Sequence, residues 1–309
     1  MARVARFCYQ GLRHAAGLEE RLAGTRLMKR KLPRGRSAAE WQPADLFPGD
    51  HTPVEKVVEG VVSGYATGSY AGSRVRNFAR RVMGADVWNA RVVVLGGGTG
   101  LSTVVGGNSQ RGDWPDQPFV CLKQDFPNLD VIVCTTDDGG STGRLLRHLP
   151  LIGIGDLRKS CLSMIHPDHL ARLYRLDARR VPDVVRLIQR VLNYRFPENG
   201  HGGQILGNPV LAAPSDLRAC CPPVLAAGLR MLGSYVSPGG RGPTIQPEGH
   251  CLGNLLLASS ILMAAKGRIT NPPGLREMRA GIDRLARLIG AMTGRLHPAT
   301  VTPGQLVFR

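Results

Sequence analysis

The chain has 309 residues, of which 43% are hydrophobic, and its 40 basic and 23 acidic residues give a formal net charge of +17. This length suits one large α/β domain or two small domains with a sizeable core. The positive charge suggests nucleic-acid binding. However, only six of the 40 basic residues are lysines, and such an arginine skew can come from genomic composition rather than from a binding face. Aromatic residues make up only 5%, which argues against a base-stacking surface.

The first 90 residues differ in character from the rest of the chain. Residues 31–53 are rich in proline, glycine and charge, as in a linker, and glycines recur every four residues from Gly60 to Gly72. Each of those glycines costs a helix about 1 kcal/mol relative to alanine. We interpret residues 1–90 as a basic, glycine-rich N-terminal extension and residues 91–309 as an α/β domain.

Two short apolar runs, residues 91–95 and 129–135, predict strands that end abruptly in polar, glycine-rich turns. Their nearly continuous valine and isoleucine content indicates strands buried on both faces of a parallel sheet. Residues 299–301 and 305–308 are candidates for a further strand pair.

Helical patterns follow these strands. The sequence predicts helices over residues 156–165, 181–194, 222–232, 253–265 and 275–292. Asp156 is predicted as an N-cap, and Pro182 lies in a first helical turn, where proline is tolerated. The order of strand, glycine turn and helix predicts an α/β fold with a mostly parallel sheet and helices on both faces.

The stretch VVVLGGGTGLS, residues 92–102, places four glycines after the first predicted strand. Glycine lacks a Cβ atom, so its backbone N–H groups can approach a phosphate, and the following helix start adds partial positive charge. The pattern matches neither the dinucleotide fingerprint nor a P-loop, so it predicts phosphate binding without NAD. A simple tight turn is the alternative. The predicted ligand contacts are Gly96, Gly97, Gly98, Thr99, Gly100 and Ser102.

The stretch TTDDGGSTGR, residues 135–144, follows the second predicted strand. Asp137 and Asp138 therefore lie at a strand's carboxyl end, where open α/β sheets bind ligands. Adjacent carboxylates repel each other unless a cation compensates, and Mg²⁺ is the natural cation beside a diphosphate. We predict both as Mg²⁺ ligands and catalytic candidates, with a capped helix start as the alternative. Further anion contacts are predicted at Gly139, Gly140, Ser141, Thr142 and Arg144.

Two later stretches add candidates. GIGDLRKS, residues 153–160, contains Arg158, which could contact a second phosphate. GHCLGNLLLAS, residues 249–259, aims His250 and Asn254 into the space before an apolar helix. His250 is a candidate acid, base or phosphate donor, and a satisfied core histidine is the alternative.

The cysteines and the apolar segments bear on localisation. Seven cysteines without regular spacing fit a reducing compartment. Cys161, His166 and His169 lie close in sequence, but without a second ligand pair a buried thiol and surface histidines are favoured over a metal site. The N-terminus lacks the apolar core of a secretory signal, and the longest apolar stretch, residues 255–265, is too short to span a bilayer. A cytoplasmic protein without membrane contact is predicted.

Taken in order, VVVLGGGTGLS, DDGGSTGR, GIGDLR and GHCLGNLLLA resemble the family that contains the gluconeogenesis factor and the CofD-like 2-phospho-L-lactate transferase, over residues 91–300. The resemblance implies a Rossmann-like fold for residues 91–309. In the transferase branch it implies Mg²⁺-dependent transfer of a phospholactyl group to a deazaflavin hydroxyl. In the gluconeogenesis-factor branch, which the acid pair and the Gly-His-x-x-Gly-Asn start match more closely, it implies a bound UDP-sugar.

The resemblance also implies roles for residues. Residues 96–100 would hold the nucleotide phosphates, Asp137 and Asp138 would hold Mg²⁺ or order the site, and His250 and Asn254 would line it. The first hypothesis is a regulatory protein of carbon metabolism or the cell envelope that binds a nucleotide diphosphate or UDP-sugar and forms a homo-oligomer. The alternative is a Mg²⁺-dependent phospholactyl-type transferase. A third hypothesis is a basic scaffold whose residues 26–36 contact RNA.

Members of this family continue past the last residues of this chain. We therefore expect a truncated member in which the sheet and the nucleotide pocket are incomplete. Such a chain would be marginally stable, prone to aggregate at an open sheet edge, and a weak ligand binder.

Overall fold

The computed structural model describes residues 90–116, 121–199, 202–267 and 271–302. The predictions for residues 1–89, including the linker, the glycine repeat and the basic segment 26–36, lie outside these residues, as does the candidate strand 305–308. Within the described ranges, no helix combines the length and apolar character needed to cross a bilayer.

The described residues contain one parallel sheet. Its three strands are β1 (Val92–Gly96), β2 (Leu129–Val133) and β3 (Leu296–Pro298), in that spatial order. The predicted α/β class and parallel sheet are confirmed, and β1 and β2 coincide with the two apolar runs. The third strand lies before its predicted position, residues 299–301. Of those residues, Ala299 still donates its N–H to the Val133 carbonyl at 2.8 Å.

The two faces of this sheet differ in burial. On one face, Leu129, Val131 and Val133 of β2 are fully buried. On the other face, Val93 and Leu95 of β1 are 53% and 72% exposed. The prediction that both strands are buried on both faces is therefore wrong for β1. An unbroken run of apolar residues does not reveal whether anything packs against each side of the strand.

Helices make up most of the rest of the described residues. The described residues form α1 to α11 and two 3₁₀ turns, Trp114–Asp116 and Pro209–Ala212. The helices are α1 (Gly98–Gly106), α2 (Leu122–Asp125), α3 (Gly140–Leu146), α4 (Gly155–Ser163), α5 (Pro167–Tyr174), α6 (Val181–Asn193), α7 (Gly203–Gly207), α8 (Ser215–Ala219), α9 (Pro223–Tyr235), α10 (Leu252–Ala264) and α11 (Leu275–Leu288).

All five predicted helices are present, as α4, α6, α9, α10 and α11. One detail is wrong, because Asp156 is the second residue of α4 and Ile154 holds the N-cap position without a side-chain cap. The central helix is α10, which is buried along most of its length. It lies so close to α11 that a Cβ atom on Gly281 would be 2.5 Å from the Ile261 Cα atom. Only glycine at position 281 allows this approach.

A buried lysine joins the far ends of α1 and α4. The Lys123 ammonium donates to the carbonyls of Ser163 and Ile165, the latter at 2.8 Å, and lies 5.9 Å from the centre of the Trp114 ring. Burial lowers the pKa of Lys123 to about 7. The last residue of α1 packs against the same carbonyl: a Cβ atom on Gly106 would lie 1.9 Å from the Ser163 carbonyl oxygen, so only glycine fits there.

Candidate functional site

The first glycine turn joins β1 to α1. Gly97 has an extended backbone, and Gly98 has φ of 65°, a left-handed conformation that favours glycine. A Cβ atom on Gly97 would lie 2.8 Å from the Cβ atom of Cys134, just past the end of β2. The turn therefore packs directly against the neighbouring strand end, and only glycine allows this approach.

A carboxylate from α4 reaches into this turn. The Gly98 N–H donates a short hydrogen bond to Asp156 Oδ2, and Lys159 Nζ donates to Asp156 Oδ1 at 3.0 Å. The Asp156 side chain is 9% exposed and that of Lys159 is 19% exposed. The innermost N–H of the turn is thus already paired with an anion that belongs to the protein. Within α1, the buried Ser102 hydroxyl donates to the Thr99 carbonyl at 2.9 Å, whereas Gly100 is exposed.

The second glycine turn joins β2 to α3. Asp137 Oδ1 accepts the Gly139 N–H at 3.1 Å, and Asp138 is exposed. Gly139 is the N-cap of α3 and has no side chain for a cap hydrogen bond, while Asp137 accepts its N–H, so a structural role for this carboxylate at the helix start remains an alternative to metal binding. A Cβ atom on Gly155 would lie 2.7 Å from Asp137 Oδ2, which puts this carboxylate at the first turn of α4, where the helix dipole favours negative charge.

Side chains of the second turn also hold the start of α10. Ser141 Oγ accepts the Cys251 N–H at 2.9 Å and the Asn254 amide at 3.2 Å, and it lies 3.4 Å from His250 Nδ1. A hydroxyl has two acceptor positions and one proton. The two donors fill the acceptor positions, so the proton of Ser141 is directed to His250 Nδ1.

This geometry defines the chemistry of His250. The side chain is buried, and burial, followed by the nearby positive charge of Arg144, lowers the pKa of His250. Burial and the charge of Arg144 thus favour the neutral ring, and its contact with Ser141 Oγ through Nδ1 leaves Nε2 as the ring nitrogen without a described protein contact. It can act as a neutral hydrogen-bond donor or, after rearrangement, as a base.

Two predicted phosphate contacts are engaged with protein partners. Arg158 is buried, and its Nε donates to Asn254 Oδ1 at 2.9 Å while a terminal nitrogen donates to the Leu192 carbonyl at 3.0 Å. Arg144 forms a two-bond ion pair with Glu198, at 2.9 and 2.7 Å. This pair lowers the pKa of Glu198. A phosphate contact by either arginine stays a prediction.

A known protein family matches most of this chain. The family model described as 2-phospho-L-lactate transferase CofD matches residues 92–307, more than two thirds of the chain. This chain belongs to the CofD family.

Named relatives of this CofD-family chain are gluconeogenesis factors. That of Listeria monocytogenes is 34% identical over 128 residues, which cover 41% of this chain and 30% of the relative. A putative gluconeogenesis factor from a Nostoc species is 32% identical over 143 residues, which cover 46% of this chain and 25% of the relative. The chain therefore spans less than a third of the length of these relatives. A crystal structure of protein BH3568 from Bacillus halodurans aligns with a TM-score of 0.34 and 19% identity, over 70% of this chain and 41% of that one.

The structure of this CofD-family chain brings most of the predicted site residues together. Both glycine turns lie at the carboxyl edge of β1 and β2, α4 begins between them, and His250 and Asn254 contact the second turn. Among the described residues, no group of three or more histidine, cysteine, aspartate or glutamate side chains is arranged to hold a metal ion. Mg²⁺ often uses only one or two carboxylates together with phosphate oxygens and water, so its binding by Asp137 and Asp138 stays a prediction.

Sequence reasoning misses three parts of this site. The sequence indicates a helix cap at Asp156, whereas its carboxylate crosses 58 positions of sequence to reach Gly98. Lys159 has no predicted role, although its spacing of three residues from Asp156 on a helix is a recognisable ion-pair signal. Glu198 carries no local signal that would link it to Arg144.

Proposed function

We propose that this CofD-family chain binds a nucleotide diphosphate or a nucleotide-sugar across its two glycine turns and acts as a regulatory protein in carbon metabolism or the cell envelope. The observation that carries this proposal is the direct contact of the first turn with the end of β2, where Gly97 and Cys134 meet. That contact brings the carboxyl ends of β1 and β2 together, so a ligand with two phosphates could reach the turn that follows each strand.

The backbone supplies the donors for such a ligand. The first N–H groups of a helix have no partner within the helix, and they bind anions well. Beyond the Gly98 N–H, which Asp156 occupies, the first turn of α1 offers Thr99 and Gly100, and the first turn of α3 offers Gly140 and Ser141. One phosphate at each turn is the arrangement that we propose. The names of the relatives, gluconeogenesis factors, favour the regulatory branch.

Titration calorimetry with UDP-sugars, GDP and NAD, with and without Mg²⁺, tests the proposal. We expect heat with a diphosphate-containing nucleotide. Gly100→Asp should weaken that binding at least tenfold, because it adds a negative charge where a Cβ atom has nothing within 4 Å and therefore causes no clash. Gly112→Asp is the matched control, since its Cβ atom is equally unobstructed and it lies beyond the opposite end of α1. No heat with any diphosphate would overturn the proposal.

The second candidate function is a Mg²⁺-dependent phospholactyl-type transferase, for which two observations speak. The matching family model carries the description of such an enzyme, and Asp137 and Asp138 adjoin the second turn. Bound Mg²⁺ would offset negative charge on the leaving phosphate. Asp137 would be positioned by the Gly139 N–H and by the first turn of α4, and the exposed Asp138 would complete the acid pair.

A double substitution tests this second candidate. Asp137→Asn combined with Asp138→Asn should abolish both Mg²⁺ binding and phospholactyl transfer to a deazaflavin acceptor. If the wild-type chain shows neither property, the transferase candidate is wrong. If the double variant retains both, the two acids have a structural role and the transferase candidate is again wrong.

A further inference from the structure

The first glycine turn contains a negative charge at the place where an anionic ligand would bind. Asp156 Oδ2 accepts the Gly98 N–H, and this carboxylate is nearly buried. A carboxylate in this position satisfies the turn while no ligand is bound. It also opposes the approach of a phosphate, because like charges repel strongly where water is largely excluded.

Lys159 removes this conflict. Its ammonium donates to the other carboxylate oxygen of Asp156 at 3.0 Å, and it is itself 19% exposed. The buried Arg158 adds a second positive charge, which interacts with both Asp156 and Asp137. The hydrogen bonds of Arg158 fix its guanidinium toward Asn254 and Leu192, whereas Lys159 is paired directly with the carboxylate of the turn.

We propose that Asp156 and Lys159 are a positioning pair that sets the preference of the first turn for highly charged ligands. Asp156 holds the Gly98 backbone in its left-handed conformation, and Lys159 neutralises Asp156 so that a diphosphate can bind to the outer N–H groups of the same turn. This inference rests on the proposed diphosphate binding. It assigns to Lys159 a role in ligand selection without direct contact with the ligand.

A comparison of ligands that differ in charge distinguishes this role from a purely structural one. We would measure the dissociation constants of UDP and UMP, and in parallel of GDP and GMP, by calorimetry. In Lys159→Met, the unpaired carboxylate should weaken UDP binding about tenfold more than UMP binding, because repulsion grows with ligand charge. Lys159→Arg should preserve the preference, since it keeps the positive charge.

A double variant tests whether the charge of Asp156 causes the effect of Lys159→Met. In Lys159→Met combined with Asp156→Asn, position 156 no longer carries a negative charge that repels the ligand, and the amide oxygen of the substituted side chain can still accept the Gly98 N–H. The preference for the diphosphate should return, which makes the two substitutions non-additive. Thermal unfolding of each variant would verify that the fold is retained.

Each other result speaks against the inference. Equal weakening of UDP and UMP binding by Lys159→Met would mean that the pair only orders the turn. An unchanged affinity, or no recovery in the double variant, would show that the charge of Asp156 does not act on the ligand. If the wild-type chain bound neither diphosphate, the proposed function would fail and this inference with it. Wild-type binding with the wrong pattern among the variants would overturn the inference alone.

Discussion

The two glycine turns occupy equivalent places at neighbouring strand ends, yet they are held in different ways. The first is held through its backbone, by the bond from the Gly98 N–H to Asp156 and by the contact of Gly97 with Cys134. The second is held through its side chains, because the Ser141 hydroxyl accepts hydrogen bonds from the start of α10. Hydroxyl groups in a glycine-rich turn thus need not face a ligand, since packing against a neighbouring helix can use them.

The difference extends to how much space surrounds each turn. A Cβ atom on Gly100 would have nothing within 4 Å, whereas one on Gly143, at the second turn, would lie 1.8 Å from the Asp138 carbonyl oxygen. Gly100 therefore has room for a side chain, whereas Gly143 is packed against the backbone that precedes its helix. The exposed Gly140 of the second turn is as unobstructed as Gly100. Substitutions at Gly100 and Gly143 should therefore have different effects on stability.

The largest effect is expected at Gly143. Gly143→Ala forces the backbone of the second turn apart, and overpacking of this kind costs about 1–3 kcal/mol or more. Gly100→Ala is the matched control. It should leave the free energy of unfolding unchanged or raise it by up to about 1 kcal/mol, because alanine favours the helix. Urea unfolding of both variants measures the difference, and equal stabilities would contradict the contrast between the turns.

Asn254 connects the second turn to the buried arginine. Its amide donates to Ser141 Oγ and its oxygen accepts from Arg158 Nε, so Asn254→Ala leaves buried polar groups without partners. We expect a loss of about 1–3 kcal/mol in the free energy of unfolding. Ser259→Ala serves as control on the same helix, because the buried Ser259 hydroxyl bonds only within α10, to the Leu255 carbonyl at 2.9 Å. A loss in the control as large as that in Asn254→Ala would refute the role of Asn254.

The buried Lys123, near the C-terminal end of α1, should make the free energy of unfolding depend on pH. Burial lowers the pKa of Lys123 to about 7 in the folded chain, whereas the pKa of a lysine in the unfolded chain is about 10.4. Between these values the unfolded chain binds the extra proton. The free energy of unfolding of the wild type, relative to Lys123→Met, should therefore rise as pH increases from about 7 toward about 10. A difference that stays constant over this range in urea titrations would rule out a buried, readily deprotonated lysine.

The smallest effect is expected at the exposed pair of Arg144 and Glu198, beside the second turn. Glu198→Gln should lower the melting temperature slightly at low salt and not at all in about 1 M salt, because exposed ion pairs are weak and screened. Since Arg144 lowers the pKa of Glu198, the contribution is present above the ordinary glutamate pKa of about 4.3. It disappears as pH falls through the lower folded-state pKa. A salt-independent loss would show that packing, and not charge, holds Arg144.

Local patterns predict a large part of this fold and less of its site. The apolar runs locate β1 and β2, and the glycine turns are expected at strand ends because parallel strands place such turns at one edge. The exposure of Leu95 could not be foreseen, since hydrophobicity records what a residue prefers and not what covers it. The role of Asp156 is hidden because a carboxylate two residues into a helix resembles a cap, and its partner Gly98 lies far away in sequence.

The first turn meets the end of β2 where Gly97 contacts Cys134, and a thiol reagent could report on this junction through the Cys134 sulfur. Cys134 is half-buried, its sulfur lies 3.1 Å from the Thr136 hydroxyl, and its Cβ atom faces the one backbone position of the first turn that has no room for a side chain. An alkyl group attached to this sulfur would wedge the strand ends apart, and a ligand seated across them would shield the thiol. The rate of alkylation at Cys134 should therefore fall when a ligand occupies the junction, and this measurement requires no substitution at either turn.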